Sequence, residues 1–417
     1  MLIRFNEARK LDTPQKTFLM EAIDLALEQL DLSDTDLAKI ESAYKGVGTY
    51  LASCEHPLLL DAQVYPQGSV RLRTTVKPLS KEEFDVDLIL FLPHAGNATR
   101  DEINDVVWRH LKDSMVYGPL AEKLARGFRI NYAGNYHLDI TPAVKYTERV
   151  LPGQPLWVVD KRTQFKESNP EGFALTFDEA CQVVPKILQV RSFYEALSAE
   201  MIQELPDQSD KKPLNRIAQV IKRHRDVWAD DEDNRYGEYK PISVLLTTLA
   251  TLAYLKVASS GKVFDSEFDL LLDVLELMPV FIEEVNGEYL VANPSMQEEN
   301  YAEKWNRIEK MEGLKLRQAF YEWHRTAISD LEAVANSSHQ GMDMVFASLS
   351  STFGERPVNA ARDRIVETIS MSRSKGNLGV VLGTGAIAAV TSKAAQSAGA
   401  RPTPIAPVKR NNFYGGK

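Results

Sequence analysis

Only two cysteines, Cys54 and Cys181, occur among the 417 residues of this chain. Neither belongs to a CxxC pair or lies near histidines at ligand spacing. A structural zinc is therefore not expected, nor is the disulfide framework of a small secreted domain. Long apolar runs are missing as well. The longest weakly polar stretch, residues 378–392, is too short and too rich in glycine and alanine to cross a bilayer. Residues 1–14 hold no apolar core of the kind a signal peptide needs. These absences point to a reducing, cytoplasmic setting without membrane attachment. A basic excess is also lacking, since the formal net charge is −9. Proteins that grip nucleic-acid backbones carry a basic face, so non-specific duplex binding is disfavoured, although an acidic total leaves room for a local basic cleft. No internal repeat is present.

What remains is an ordinary globular balance, 44% hydrophobic and 26% charged, in a chain long enough for two domains. Apolar spacing predicts helices over residues 15–31 and 34–51, the second capped at Ser33–Asp34. Short strand-like runs follow at 62–65, 84–92, 128–132, 136–140 and 156–159, with a helix over 100–115. This predicts an α+β fold. Beyond residue 177 the pattern turns helical, with helices expected over 180–203, 214–228, 242–258, 268–277, 300–308 and 314–335. From 371 the composition shifts to Gly, Ala, Ser and Pro, which predicts a flexible tail. The expected division is 1–177, 178–370 and 371–417.

Two motifs carry chemistry. Gln67-Gly68-Ser69 precedes Asp85-Val86-Asp87. Asp85 and Asp87 are two apart on a strand, so both side chains leave one face, where a hard divalent cation would find oxygen ligands. The Gly-Ser turn permits close backbone approach, and its amides and hydroxyl can hold phosphates. Alone, a Gly-Ser pair is an ordinary turn and Asp-x-Asp an ordinary solvated strand face. Together they open a strand that continues as LILFLP, and two carboxylates at the mouth of a buried strand need a reason. The second motif, Tyr136-His137-Leu138-Asp139-Ile140, places a third acid, Asp139, on another apolar strand. Three acids suit a two-metal site that activates a hydroxyl and neutralises a triphosphate. His137 shares the face of Asp139 and reads by itself as a packed or surface histidine.

Gly-Ser, Asp-x-Asp, a lone strand Asp and then a helical domain resemble the polymerase-β-type nucleotidyltransferases of the cyclic GMP-AMP synthase and oligoadenylate synthase family. The likeness is nearer to their bacterial relatives, the CD-NTases, and runs over about residues 15–350. It includes Ser168-Asn169-Pro170-Glu171-Gly172-Phe173, Val220-Ile221-Lys222-Arg223-His224-Arg225-Asp226 and Lys240-Pro241-Ile242-Ser243. Asn293-Pro294, Glu299-Asn300 and Lys304-Trp305 extend it. The resemblance implies that Asp85, Asp87 and Asp139 hold Mg²⁺, or Mn²⁺. Gln67, Gly68, Ser69, Lys222 and Ser243 would bind nucleotide. The substrates would be ATP and another NTP, GTP first. The product would be a cyclic oligonucleotide second messenger, by default a purine cyclic dinucleotide, made in anti-phage (CBASS) signalling. From the residues alone, Lys222 reads as part of a solvated helix face and Ser243 as a helix N-cap.

The zinc-bearing insertion with which cyclic GMP-AMP synthase reads DNA has no counterpart, so no DNA activator is expected. The end Asn412-Phe413-Tyr414-Gly415-Gly416-Lys417 resembles a ubiquitin-type terminus. Some CD-NTases are conjugated through such an end by an E1/E2-like enzyme, which would make Gly416 the acyl donor once Lys417 is lost. A plain disordered end reads as well. The glycine-rich segment 379–385 follows no βαβ pattern and is a poor dinucleotide fingerprint. Arg71 and Arg73 fit either phosphate contacts or ordinary ion pairs. A linear nucleotidyltransferase acting on RNA, or an inactive nucleotide sensor, stays open on the motifs alone.

Overall fold

Asp12 and Ser33 start the first two long helices. After a single turn, α1 (Glu7–Lys10), each accepts a hydrogen bond from the amide of the third helical residue. The side chains of those residues, Gln15 and Asp36, reach back to the caps and so begin α2 (Thr13–Glu28) and α3 (Asp34–Ala52). The computed structural model describes residues 4–79, 84–132, 136–188, 211–375, 378–381, 387–389 and 405–407.

The sheet follows, with β1 (Gln63–Pro66), a one-turn α4 (Gly68–Arg71), β2 (Phe84–Leu92), α5 (Arg100–Asp113), β3 (Ala121–Leu124), β4 (Gly127–Asn131), β5 (Tyr136–Lys145), β6 (Leu156–Asp160) and β7 (Gln164–Ser168). The strand order is β1-β2-β5-β4-β3, with β6 joined to β5 and β7 to β6. β2 and β5 run parallel at the centre. A central strand buried on both faces reads as an unbroken apolar run, and residues Leu88 to Leu92 of β2 are all buried. Val86, Leu88, Leu90 and Leu92 pack with Ile40 and Val47 of α3 and Ile103 and Val107 of α5. Ile89 and Phe91 point the other way, onto Ala143, Leu156 and Val158. Asp85 and Asp87 share that second face by parity, at the end that β6 leaves uncovered.

The remaining long helices are α6 (Pro170–Gln182), α7 (Pro213–Asp230), α8 (Ser243–Ala258), α9 (Glu267–Leu277), α10 (Glu312–Ser337), α11 (Met342–Phe353) and α12 (Glu355–Lys375). Their core includes Tyr254, Phe268, Phe320 and Trp323, all fully buried. The α+β class is as the strand and helix patterns predict, but several details differ. A helix begins at Pro170, where Asn169 caps it and Pro170 suits its first turn, and stops at Gln182, so residues 183–188 of the helix expected over 180–203 are not helical. Residues 189–210 lie outside the described residues. The stretch 300–308 is the end of a hairpin (Ala292–Asn293 with Met296–Asn300) and a 3₁₀ turn (Glu303–Asn306), not a helix.

Two elements bear on the region around 177. α6 runs through it, and α2 belongs to the helical body, where Leu19, Ile23 and Leu27 join the same core as Leu246 and Phe268. α12 continues past the expected boundary at 371 to Lys375, with Ile365, Thr368 and Ser372 buried. Residues 378–381, 387–389 and 405–407 pair as antiparallel strands. Gly416 lies outside the described residues. Among the described residues no helix is long and apolar enough to cross a membrane.

One junction ties the sheet to the helical body. Asn169 Oδ1 accepts from Gly172 N at 3.0 Å, and its amide nitrogen donates to Pro152 O at 2.8 Å and Ser295 Oγ at 3.2 Å. Buried Glu299, on the hairpin, accepts from Ser168 Oγ at 2.7 Å, Asn169 N at 2.8 Å and Asn293 Nδ2 at 2.7 Å. The Ser168–Gly172 and Asn293–Asn300 motifs are therefore one interlocked unit. Asn169→Ala removes the cap and strands the Pro152 carbonyl. It is expected to lower folding stability by about 3 kcal/mol, the sum of a lost cap and unsatisfied buried groups. Urea denaturation measures this, and a loss below about 1 kcal/mol would show that the junction contributes little.

Candidate active site

The acids meet through strand register. In the parallel β2–β5 pair Asp87 stands opposite Asp139, and Asp85 opposite His137. The sequence could place the three acids on two strands but could not align them. The turn before β2 closes the site from above. Gln67 N donates to Asp87 O at 2.8 Å, and Gly68 adopts φ +61° against the Asp87 carboxylate. A Cβ on Gly68 would lie 2.7 Å from Asp87 Oδ2, so only glycine fits there, both for its backbone and for its space. Ser69 O then accepts from Thr74 N at 2.9 Å and folds the chain back on itself.

The segment after this turn is gripped by α7. Asn215, Gln219 and Lys222 lie on one face of that helix. Asn215 Nδ2 donates to Leu72 O at 2.9 Å, Gln219 Nε2 to Thr75 O at 2.8 Å and Lys222 Nζ to Thr74 O at 2.7 Å. Lys222 is thus buried, not on a solvated helix face, because α7 is the central helix of its body. Desolvation pushes its ammonium down to about 8. Ser243 is the first residue of α8, whose N-cap is Ile242, so its hydroxyl does not cap the helix. It accepts from Arg225 Nη1 and Nη2 at 3.2 Å each, and Arg225 Nη1 also donates to Pro241 O at 2.7 Å.

Gln67, Gly68, Ser69, Asp85, Asp87, Lys222 and Ser243 all line one cleft of about 810 Å³ between the sheet and the helical body. Asp139 sits just behind, joined to Asp85 through Arg129, a residue that the sequence patterns did not single out. Arg129 Nε and Nη2 donate to the two Asp139 oxygens, and Nη2 also reaches Asp85 Oδ1, each at 2.7 Å. A lone arginine in the apolar strand GFRIN was the available signal. Arg71 pairs with Asp178 at 2.9 Å and Glu171 at 3.4 Å, an ion pair on the cleft wall. Arg73 takes a left-handed backbone at φ +55°.

Burial and then the neighbouring Asp139 raise Asp85 above the usual carboxylate range. Burial, with Asp139 and Asp85 adding repulsion, pushes Asp87 up to about 6. Among the described residues no three acidic, histidine or cysteine side chains converge as a ready metal set. The Arg129 guanidinium lies between Asp85 and Asp139. The donor chemistry nonetheless fits a hard divalent ion, with carboxylates on adjacent strands beside a glycine that leaves them room.

Residues 19–180 match the family model of the Second Messenger Oligonucleotide or Dinucleotide Synthetase domain. A c-di-GMP synthase of Roseivirga ehrenbergii is 27% identical over 409 residues, covering 96% of this chain and 98% of the relative. The fold resembles that of the Bradyrhizobium diazoefficiens CD-NTase CdnG in complex with GTP, with TM-score 0.60 and 19% identity over 84% of this chain and 99% of that one. It also resembles E. coli MS115-1 CdnC with ATP, with TM-score 0.54 and 11% identity over 80% of this chain and 97% of that one.

The buried carboxylate has a measurable consequence. Burial pushes the Asp87 carboxyl up to about 6 from its ordinary 3.8. The folded state binds that proton more tightly, so ionised Asp87 destabilises the fold above pH 6, and the penalty disappears as pH falls toward 4. In metal-free buffer Asp87→Asn is expected to raise Tm by roughly 2–5 °C near pH 7.5, with the gain shrinking toward pH 4. Thermal melts at the two pH values test this, and an equal gain at both would assign it to something other than the charge.

Proposed function

We propose that the chain is a nucleotidyltransferase of the bacterial CD-NTase family and joins GTP and ATP into a purine cyclic dinucleotide. The observation that carries this reading is the alignment of Asp85, Asp87 and Asp139 across β2 and β5 beside the Gly68 turn. In each round a ribose hydroxyl of one nucleotide attacks the α-phosphorus of another and pyrophosphate leaves. A second attack within the linear product closes the ring. The guanine preference is supported by the relative from Roseivirga ehrenbergii, whose product is c-di-GMP.

Asp85, Asp87 and Asp139 would hold Mg²⁺, or Mn²⁺, which would lower the pKa of the attacking hydroxyl and offset charge on the triphosphate. Gln67, Gly68 and Ser69 present amides and a hydroxyl to the donor phosphates. Lys222 anchors the turn through Thr74 and brings positive charge to the cleft floor. Ser243, fixed by Arg225, faces the donor from the helical side. The cleft, about 810 Å³, lies within the range of nucleotide-sized sites.

The second messenger serves anti-phage (CBASS) signalling in the cytoplasm, and an E1/E2-like partner attaches the chain through Gly416 after Lys417 is lost. Intact-mass measurement with that partner co-expressed checks the attachment. A Lys417 that is always retained, with no conjugate formed, overturns it.

Incubation with ATP, GTP and Mg²⁺, without nucleic acid, is expected to yield a phosphatase-resistant product with the mass of a cyclic dinucleotide. A phosphatase-sensitive product would make the enzyme a linear transferase. Asp85→Asn with Asp87→Asn is expected to fold and to lose synthesis by at least about a thousandfold, and Asp139→Ala to be inactive too. Undiminished product from the folded double variant would remove the site assignment. Duplex DNA is expected to leave the rate unchanged, and a large, salt-sensitive stimulation would show that a nucleic-acid groove exists.

A further inference from the structure

Arg129 is a charged residue within the acid cluster to which the reaction as written gives no task. The β4–β5 ladder sets it directly opposite Asp139. Its grip on the two acids is unequal. Asp139 receives two hydrogen bonds, one to each oxygen, and its side chain is only 20% exposed. Asp85 receives one, from the same Nη2 that serves Asp139, and its side chain is 52% exposed. Asp87 is bracketed instead by the Gly68 turn.

Three carboxylates on neighbouring strand positions repel one another, and a guanidinium between two of them offsets part of that cost. Its planar fork matches one carboxylate in a two-point contact and leaves one N–H for a second acid. We propose that Arg129 is a positioning residue that occupies the cation's place at Asp85 in the metal-free enzyme, releases Asp85 when the divalent ion arrives, and stays on Asp139 throughout. This rests on the reading of Asp85, Asp87 and Asp139 as metal ligands. Water reaches the single contact to Asp85, so a doubly charged ion can displace it there. The paired contacts to the more buried Asp139 hold that carboxylate in one rotamer.

Removal of the guanidinium therefore has two opposite effects. The acids become more negative by one charge and lose a competitor, so a divalent ion binds more tightly. Asp139 loses its fixed orientation, so turnover falls. An arginine with a merely structural role would change thermal stability and leave ion affinity where it was.

The test is Mn²⁺ binding to the full-length chain without nucleotide, followed by electron paramagnetic resonance. Arg129→Gln is expected to bind Mn²⁺ more tightly, on the order of tenfold, which is the effect of removing one unit charge a few ångströms away. Its turnover at saturating metal should nonetheless fall. Arg129→Lys keeps the charge but not the two-point contact, so it should bind Mn²⁺ a few-fold more tightly than the native chain, and it decides the matter if Arg129→Gln does not fold. Unchanged or weaker Mn²⁺ binding in a folded Arg129 variant overturns the proposal. Mn²⁺ binding to Asp85→Asn with Asp87→Asn serves as the control. If that variant binds Mn²⁺ as well as the native chain does, the metal reading of the acids fails, whatever Arg129 does.

Discussion

The grip of α7 on the backbone of residues 72–75 is the interaction on which the rest of the site depends. Three side chains of one helix face, Asn215, Gln219 and Lys222, each donate to a different carbonyl of that short segment. The carbonyls have no strand partner of their own, and a buried carbonyl without a donor is costly. The same helix secures itself to Asp31 through Arg216 at 2.9 Å and Gln219 at 2.7 Å. The Gly68–Ser69 turn thus takes its position from the helical body as much as from the sheet. A shift of α7 would move Gly68 and Ser69 relative to the acids, which gives the two halves of the molecule one shared cleft.

A second constraint opposes the first. The cleft gathers like charges, with Asp87 the most buried of them, and that arrangement costs stability in the absence of a cation. Asp87 is held well above its ordinary range and Lys222 well below. Both shifts follow mainly from burial, and both mark groups that the fold would ionise more easily if they were exposed. The structure offsets part of the strain with Arg129 and with the Lys222–Thr74 hydrogen bond. Such tension between stability and chemistry is common at active sites.

The Asn169–Glu299 junction shows why motif segments far apart in the chain belong together. Ser168-Asn169-Pro170 closes β7 and starts α6, and Asn293 to Asn300 forms the hairpin that presents Glu299. Glu299 is buried with donors from both segments, so its charge is met on all sides. Lys166 and Glu303 pair across the same border at 2.6 Å on the cleft wall. The wall is therefore built by parts of the chain that become neighbours only in the folded state.

Much of this was legible in the residues. The switch from two-residue to helical periodicity located most strands and helices to within a few positions, and the capping boxes at Asp12 and Ser33 explain why the N-terminal helices start where they do. Asp85 and Asp87 declared themselves because charges at the mouth of an apolar strand are costly without a purpose. Register did not declare itself. A strand's own pattern says which residues share a face, but not which residue of a distant strand lies opposite, so the pairing of Asp87 with Asp139 and the intrusion of Arg129 emerged only from the sheet. Nor could local pattern reveal that Lys222 is buried, because its charged neighbours on α7 imitate a solvated face until α2, α6, α8, α10 and α11 pack against them. The sequence by itself determined the element types, the acids and the glycine. Tertiary structure alone decided which acids meet, which cation stands between them and which helix holds the turn, because those depend on contacts between residues that only packing brings within hydrogen-bond reach.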